Sequence, residues 1–241
     1  ITIGRNTKGK GFFYDVKIPE SNKEIKHEVE LTLKLLEPLG IKSEEKIRLH
    51  LPILPGKEDF IDKYLEKKNI ERNKLLIGIN PGAFRPSRRW SPSNWAGLIN
   101  KLYKNYNLQI VVTGEKEESS LVEEIIQLTK EKICPTVGEL HTTQLAALIK
   151  RFRLFISNDT GPAHIAAALG TPVVVIFGPG DVQRFRPYAD ENKYWVVRKQ
   201  VNCIRPCYKF SCDDMRCMKA ISVEDVFLAI KNLLEKNVAN L

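Results

Sequence analysis

The residues best suited to chemistry are Asp159-Thr160-Gly161-Pro162-Ala163-His164, which follow the apolar run Leu154-Phe155-Ile156 and lead into Ile165 to Leu169 with Gly170 behind them. That order is a buried strand, a polar turn and a short helix stopped by glycine. The amides of Thr160, Gly161 and Ala163 are then expected to be unpaired and to face whatever sits above the strand end. Free N–H groups and the positive end of the helix dipole favour phosphate there. His164 lies on the first turn, within reach of the same ligand. A plainer reading makes Asp159 or Thr160 a helix cap and His164 a packed side chain. A cap, however, requires neither Pro162 nor His164. The other basic group of interest is Arg85, Arg88 and Arg89, flanked by glycine, proline and tryptophan.

The elements that must position these residues alternate from Leu75 onward. Leu75 to Asn80 reads as a strand ending in Pro81-Gly82. Ser91-Pro92 starts a helix through about Tyr106, and Leu108 to Thr113 is the next strand, closed by Gly114. Glu117 to Lys130 is amphipathic, Ile133 to Val137 a weak strand, and Thr142 to Lys150 a helix. The strand before Asp159 with its helix, and the run Pro172 to Phe177, complete the series. The alternation predicts an α/β fold, a parallel sheet covered on both faces. In such sheets ligands bind beyond the carboxyl ends of the strands. The loops Pro81 to Arg89, Gly114 to Glu118, Gly138 to His141, Asn158 to His164 and Gly178 to Arg186 all fall there, which predicts one composite site. Neither G-x-G-x-x-G nor a Walker motif is present.

Residues 1–70 lack this alternation. His27 to Leu39 is expected to be a helix ended by Gly40, and Leu49 to Leu54 a short extended piece. Lys63 to Lys74 reads as a solvated face and connector. The first 70 residues look like the tail of another domain with a linker, and 71–241 carry the alternating pattern. Val223 to Leu234 is a final helix with Val226, Phe227, Ile230 and Leu233 on one face.

The chain has 241 residues, is 43% hydrophobic, and carries 38 Lys plus Arg against 29 Asp plus Glu, a balance of +9. That is enough to bury a sizeable core and favours anionic partners. No run approaches the roughly 20 apolar residues of a membrane span and no signal-peptide pattern opens the chain, so a cytoplasmic location is expected.

Taken together, Asn80-Pro81-Gly82-Ala83, Arg88-Arg89-Trp90 with Pro92, Val112-Thr113-Gly114, Asp159-Thr160-Gly161-Pro162-Ala163-His164 and Phe177-Gly178-Pro179 resemble, in type and order, glycosyltransferase family 9, the ADP-heptose:lipopolysaccharide heptosyltransferases and their relatives. Lys26-His27-Glu28-Val29 and Leu39-Gly40-Ile41 are similar to the end of that family's acceptor domain. The resemblance implies a GT-B fold whose N-terminal domain is incomplete here and whose Rossmann-like C-terminal half, 71–241, holds the nucleotide sugar. It also implies inverting transfer of a heptose from ADP-heptose to a lipid A/core oligosaccharide acceptor without a required cofactor or metal. By the resemblance, Arg88 neutralises the diphosphate where the family commonly has Lys, and Thr160 and Gly161 hold phosphate oxygens. Asp159 is suited to sugar hydroxyls or to capping amides, and His164 to a hydrogen bond with ligand or loop. Glu118 binds the ribose and Leu140 meets the adenine. The family's base is an Asp after a Gly in the first loop of the N-terminal domain. No such segment is present, Asp15 lacks that setting, and about 100 or more residues are expected upstream. Peripheral contact with the inner face of the cytoplasmic membrane follows from a lipid-linked acceptor. The alternatives are another nucleotide sugar or acceptor, or a non-catalytic nucleotide-binding module.

Cys203, Cys207, Cys212 and Cys217 lie within fifteen residues, with Cys134 apart. Zinc, disulfides and a reduced loop all remain open for this spacing, which is not the usual C-x2-C pair. The basic and aromatic residues among them match no standard nucleic-acid-binding arrangement, so no nucleic-acid partner is expected.

Overall fold

The computed structural model describes residues 1–7, 9–19, 27–42 and 47–238; Lys26 lies outside them. Strands β1 (Ile3–Asn6) and β2 (Val16–Pro19) form a small parallel pair that the sequence pattern does not reveal. Asp15 ties its end, Oδ2 accepting from the Thr2 amide at 2.7 Å. Helix α1 (Glu28–Leu33) starts at His27, whose Nδ1 accepts the Val29 N–H at 3.2 Å. The helix expected to run to Leu39 tightens instead to 3-10 geometry over Lys34–Leu39. Pro38 lacks the N–H that a continuing α-helix needs, and Gly40 ends the segment at φ 77°. Leu49 to Leu54 pairs with no strand.

After α2 (Lys57–Lys67) the chain alternates as its pattern predicts: β3 (Leu75–Asn80), α3 (Pro92–Asn105), β4 (Leu108–Val112), α4 (Ser119–Leu128), β5 (Cys134–Pro135), α5 (Thr142–Arg151), β6 (Leu154–Asn158), α6 (Gly161–Leu169) and β7 (Val173–Ile176). Then come α7 (Val182–Phe185), β8 (Tyr194–Val197), α8 (Arg216–Lys219) and α9 (Val223–Val238). Of these last four, only α9 is legible in the sequence. The six strands from β3 to β8 are all parallel, in the order β5-β4-β3-β6-β7-β8. This is the doubly wound arrangement, with its switch point between β3 and β6.

Alternating residues of each strand enter opposite cores. Ile77, Ile79, Ile156, Val174 and Ile176 face α3, α4 and α9, packing with Trp95, Leu98, Ile125, Ile230 and Leu233. Val111, Phe155, Val173 and Val175 face the other layer, with Ala147, Leu148, Ala163 and Ala166. Helix α2 joins this second layer, Ile61 and Leu65 buried among its residues. Residues 63–67 of the expected connector thus belong to a packed helix, and 68–74 lead from it to β3. With so few apolar positions among Lys and Glu, the inward face of α2 is hard to see in the sequence. Glu28 links the N-terminal segment to the sheet domain, bonded to Arg5 and to Arg184, the latter at 2.6 Å. His27 adds a 2.8 Å hydrogen bond from Nε2 to the Arg186 carbonyl.

Candidate functional site

Both strands at the switch point end in asparagine, and these two side chains organise the loop above. Asn158 donates from Nδ2 to the carbonyls of Pro81 (2.7 Å) and Gly82 (3.3 Å), while its Oδ1 accepts the Trp90 N–H at 3.3 Å. Asn80 accepts from the Thr113 hydroxyl at 3.1 Å and donates to the Gly82 carbonyl. Asn80, Asn158 and Thr113 are buried, so each must have its partners. They hold the loop 81–90 against the ends of β3, β4 and β6. The sequence reading gives neither asparagine a role of its own, although a buried-looking polar residue closing a mostly apolar strand is the signal that points to them.

A cleft of about 200 Å³ opens here, lined by Asn80, Gly82, Phe84, Thr113, Gly114, Glu118, Thr136, Leu140, Leu145 and Thr160 to Pro162. Four expected site residues, Glu118, Leu140, Thr160 and Gly161, therefore line the same cleft. Glu118 is buried and its Oε2 accepts the Glu115 N–H at 3.0 Å, completing a capping box at the start of the 3-10 turn Lys116–Glu118. Its carboxylate lies against Gly82, where a Cβ would sit 1.9 Å from Oε1. Any side chain at position 82 would displace it. Oε1 is 4.0 Å from Arg89 Nη2.

Beside the cleft, Arg88 Nη1 lies 2.9 Å from Asp159 Oδ2 and donates to the Asp159 carbonyl at 3.2 Å. The 2.9 Å contact is an ion pair without hydrogen-bond alignment, since Oδ2 has no hydrogen-bond partner. Arg88 Nε and Thr160 Oγ1 are likewise buried and unpartnered among the described residues. Three unsatisfied polar groups on two adjoining loops are costly unless a ligand completes them.

Helix α6 begins as its sequence suggests, with Thr160 at the cap position, Pro162 in the first turn and Gly170 at φ 72° behind it. Asp159 caps nothing. Its carboxylate turns to Arg88, and the Thr160 side chain makes no capping bond. The amide of Ala163, expected to be free, bonds to the Thr160 carbonyl at 3.2 Å. The Thr160 and Gly161 amides have no partner among the described residues. The donor set is therefore Thr160 and Gly161 amides, Thr160 Oγ1 and the Arg88 guanidinium.

Burial pushes Asp159 up to about 6, with Arg88 and then Arg85 pulling it partly back. A carboxyl raised in the folded state stabilises the fold fully below its ordinary value near 3.8, and that contribution is lost as pH rises through about 6. His164 is held below the ordinary imidazole range, first by burial and then by His27 and Arg88. It does not line the cleft, and no hydrogen bond reaches its side chain among the described residues. All five cysteines are free thiols, Cys203 exposed and Cys217 buried. No three His, Cys, Asp or Glu gather to hold a metal among the described residues.

A family model described as glycosyltransferase family 9 (heptosyltransferase) matches residues 4–212. Lipooligosaccharide heptosyltransferase 2 of Campylobacter jejuni is 30% identical over 238 residues, covering 96% of this chain and 70% of that protein. A glycosyl transferase family 9 structure from Veillonella parvula superposes with TM-score 0.77 at 22% identity, over 92% of this chain and 64% of the other. E. coli heptosyltransferase WaaC with ADP gives TM-score 0.65 at 18% identity, over 92% and 60%. The chain therefore spans less than two thirds of both solved relatives. The doubly wound sheet, the cleft at its switch point and the matching family model agree, and the chain belongs to glycosyltransferase family 9.

Proposed function

We propose that this chain is the donor-binding part of a heptosyltransferase that moves a heptose from ADP-heptose to a lipopolysaccharide core acceptor with inversion. The observation that carries the reading is the cluster of buried, unpartnered polar atoms on Arg88, Asp159 and Thr160 at the start of α6. Residues 71–241, with α2 packed on them, form the nucleotide-sugar unit, and the N-terminal segment belongs to an acceptor domain. Arg88 with the Thr160 and Gly161 amides holds the diphosphate and stabilises the charge that grows on it as the glycosidic bond breaks. Glu118 and Leu140 on the cleft wall receive ribose and adenine. His164 and Asp159 face the phosphates and the sugar joined to them. Protonated Asp159 donates where ionised Asp159 can only accept. An acceptor attached to lipid A brings the protein to the inner face of the cytoplasmic membrane; among the described residues, no helix is long and apolar enough to cross one.

Calorimetric titration with ADP, UDP and GDP tests the reading. ADP is expected to bind at least tenfold more tightly, about 1.4 kcal/mol, and equal affinities would sink the adenine assignment. Activity with ADP-heptose is measured on the full-length protein.

The titration of Asp159 gives a second expectation. Phosphate beside it raises its proton affinity further, so ADP binding takes up a proton near neutral pH. Affinity is expected to fall about threefold to tenfold between pH 6 and pH 8, within the limit of one linked proton. The Asp159→Asn protein isolates the share due to this carboxyl from that of the phosphate itself, and His164→Gln isolates that of the imidazole. An unchanged pH profile in Asp159→Asn would remove Asp159 from the proton linkage.

A further inference from the structure

The cysteine-bearing segment 203–218 has no part in the nucleotide reading so far, yet its backbone meets the diphosphate loop directly. Ser87, one residue before Arg88, donates from Oγ to the Lys209 carbonyl at 2.8 Å and from its amide to the Phe210 carbonyl at 3.3 Å. Arg85 donates from Nη1 to the Tyr208 carbonyl at 3.1 Å, its guanidinium 5.9 Å from the Tyr208 ring centre. Phe84, on the cleft wall, meets the Phe210 ring edge-on with centres 5.6 Å apart. Hydrogen bonds, a cation–π contact and an aromatic pair thus join residues 84–87 to residues 208–210.

The other parts of the segment hold the loop after β7. The Cys207 amide donates to the Pro179 carbonyl at 2.8 Å. Gly178 has no Cβ, and one there would lie 2.2 Å from Met218 Sδ and 3.5 Å from Cys217 Sγ. Met218 and Cys217 are themselves buried in the main core. Since β3 and β7 are the two neighbours of β6, the segment joins the loops on either side of the turn that carries Asp159, Thr160 and Gly161.

We propose that segment 203–218 is a brace for the donor site, with Ser87 and Phe210 as positioning residues that hold Arg88 at the diphosphate. The proposal rests on the nucleotide reading above. Phe84, Tyr208 and Phe210 are 85%, 58% and 55% exposed, so their rings bury little area and contribute little to global stability. What they order is the loop, and order at a binding loop lowers the entropy lost when ligand arrives.

The test is a double-mutant cycle read by ADP calorimetry. Ser87→Ala and Phe210→Ala are each expected to weaken ADP binding threefold to tenfold with little change in thermal midpoint, and Phe210→Tyr to restore it. In an Arg88→Ala background the same substitutions are expected to have no further effect, because nothing remains for the brace to position. Losses of equal size in both backgrounds, or none in the Arg88 protein, would overturn the brace while leaving the nucleotide site intact. If Arg88→Ala alone left ADP binding unchanged, the diphosphate assignment would fail and the brace with it.

Discussion

Arg88→Ala is expected to weaken ADP binding by tenfold to a hundredfold, the larger of the ligand effects anticipated here. A hydrogen bond to a charged group contributes about 1.5–3 kcal/mol, which converts to that range. Two features place Arg88 at the upper end of exposed arginines in worth. Its side chain is 22% exposed, so water screens it weakly, and its Nε has no partner among the described residues. Its removal also leaves Asp159, 4% exposed, without its nearest counter-charge. That carboxyl is then expected to titrate higher still, so the loss of ADP affinity should be smaller at pH 5.5 than at pH 8. Arg88→Lys retains a point charge but not the planar fork and is expected to recover part of the affinity. Calorimetry at the two pH values decides the matter; an Arg88→Ala protein that binds ADP like the parent would end the diphosphate assignment.

Trp90→Ala is expected to cost about 3–5 kcal/mol of stability, the range for deleting a large buried aromatic side chain. Trp90 is 1% exposed and lies edge-on to Trp95, ring centres 5.3 Å apart. Its indole N–H donates to the Ile221 carbonyl at 2.9 Å, and its amide donates to Asn158. One residue thus joins the end of the phosphate loop, the switch-point asparagine, α3 and the corner before α9. Trp90→Phe fills most of the volume but leaves the Ile221 carbonyl unpaired, so an intermediate loss is expected, the unpaired group costing about 1–3 kcal/mol. Urea unfolding measures both. A loss under about 1 kcal/mol for Trp90→Ala would show that the loop is held without the indole, through the asparagine bonds alone.

Strands β3, β4, β6 and β7 were legible because each is a largely apolar run bounded by proline, glycine or a polar turn, and β5, with Pro135 inside it, reads as a weak strand. Strand β8 (Tyr194–Val197) is an apolar run of the same kind that the pattern reading leaves out, and the four-residue strands β1 and β2 give too short a period to see. Helix α2 hid its inward face among charges. The cysteine cluster suggested ligands by spacing, but the loop spreads its thiols from an exposed Cys203 to a buried Cys217, and its hydrogen bonds to Arg85, Ser87 and Pro179 run through its backbone.

The sequence by itself determined where α6 starts and stops, because Pro162 and Gly170 act within one helical turn of their own positions. It likewise determined the strand-helix alternation and the family, since periodicity and motif order are local properties read along the chain. Only the tertiary structure decided that Asp159 turns to Arg88 instead of capping its helix, that the Ala163 amide is already used, and that Glu118 rests on Gly82. The reason is physical. Those outcomes depend on which charges and cavities meet across the switch point, between residues far apart in the chain, and on how deeply burial removes them from water.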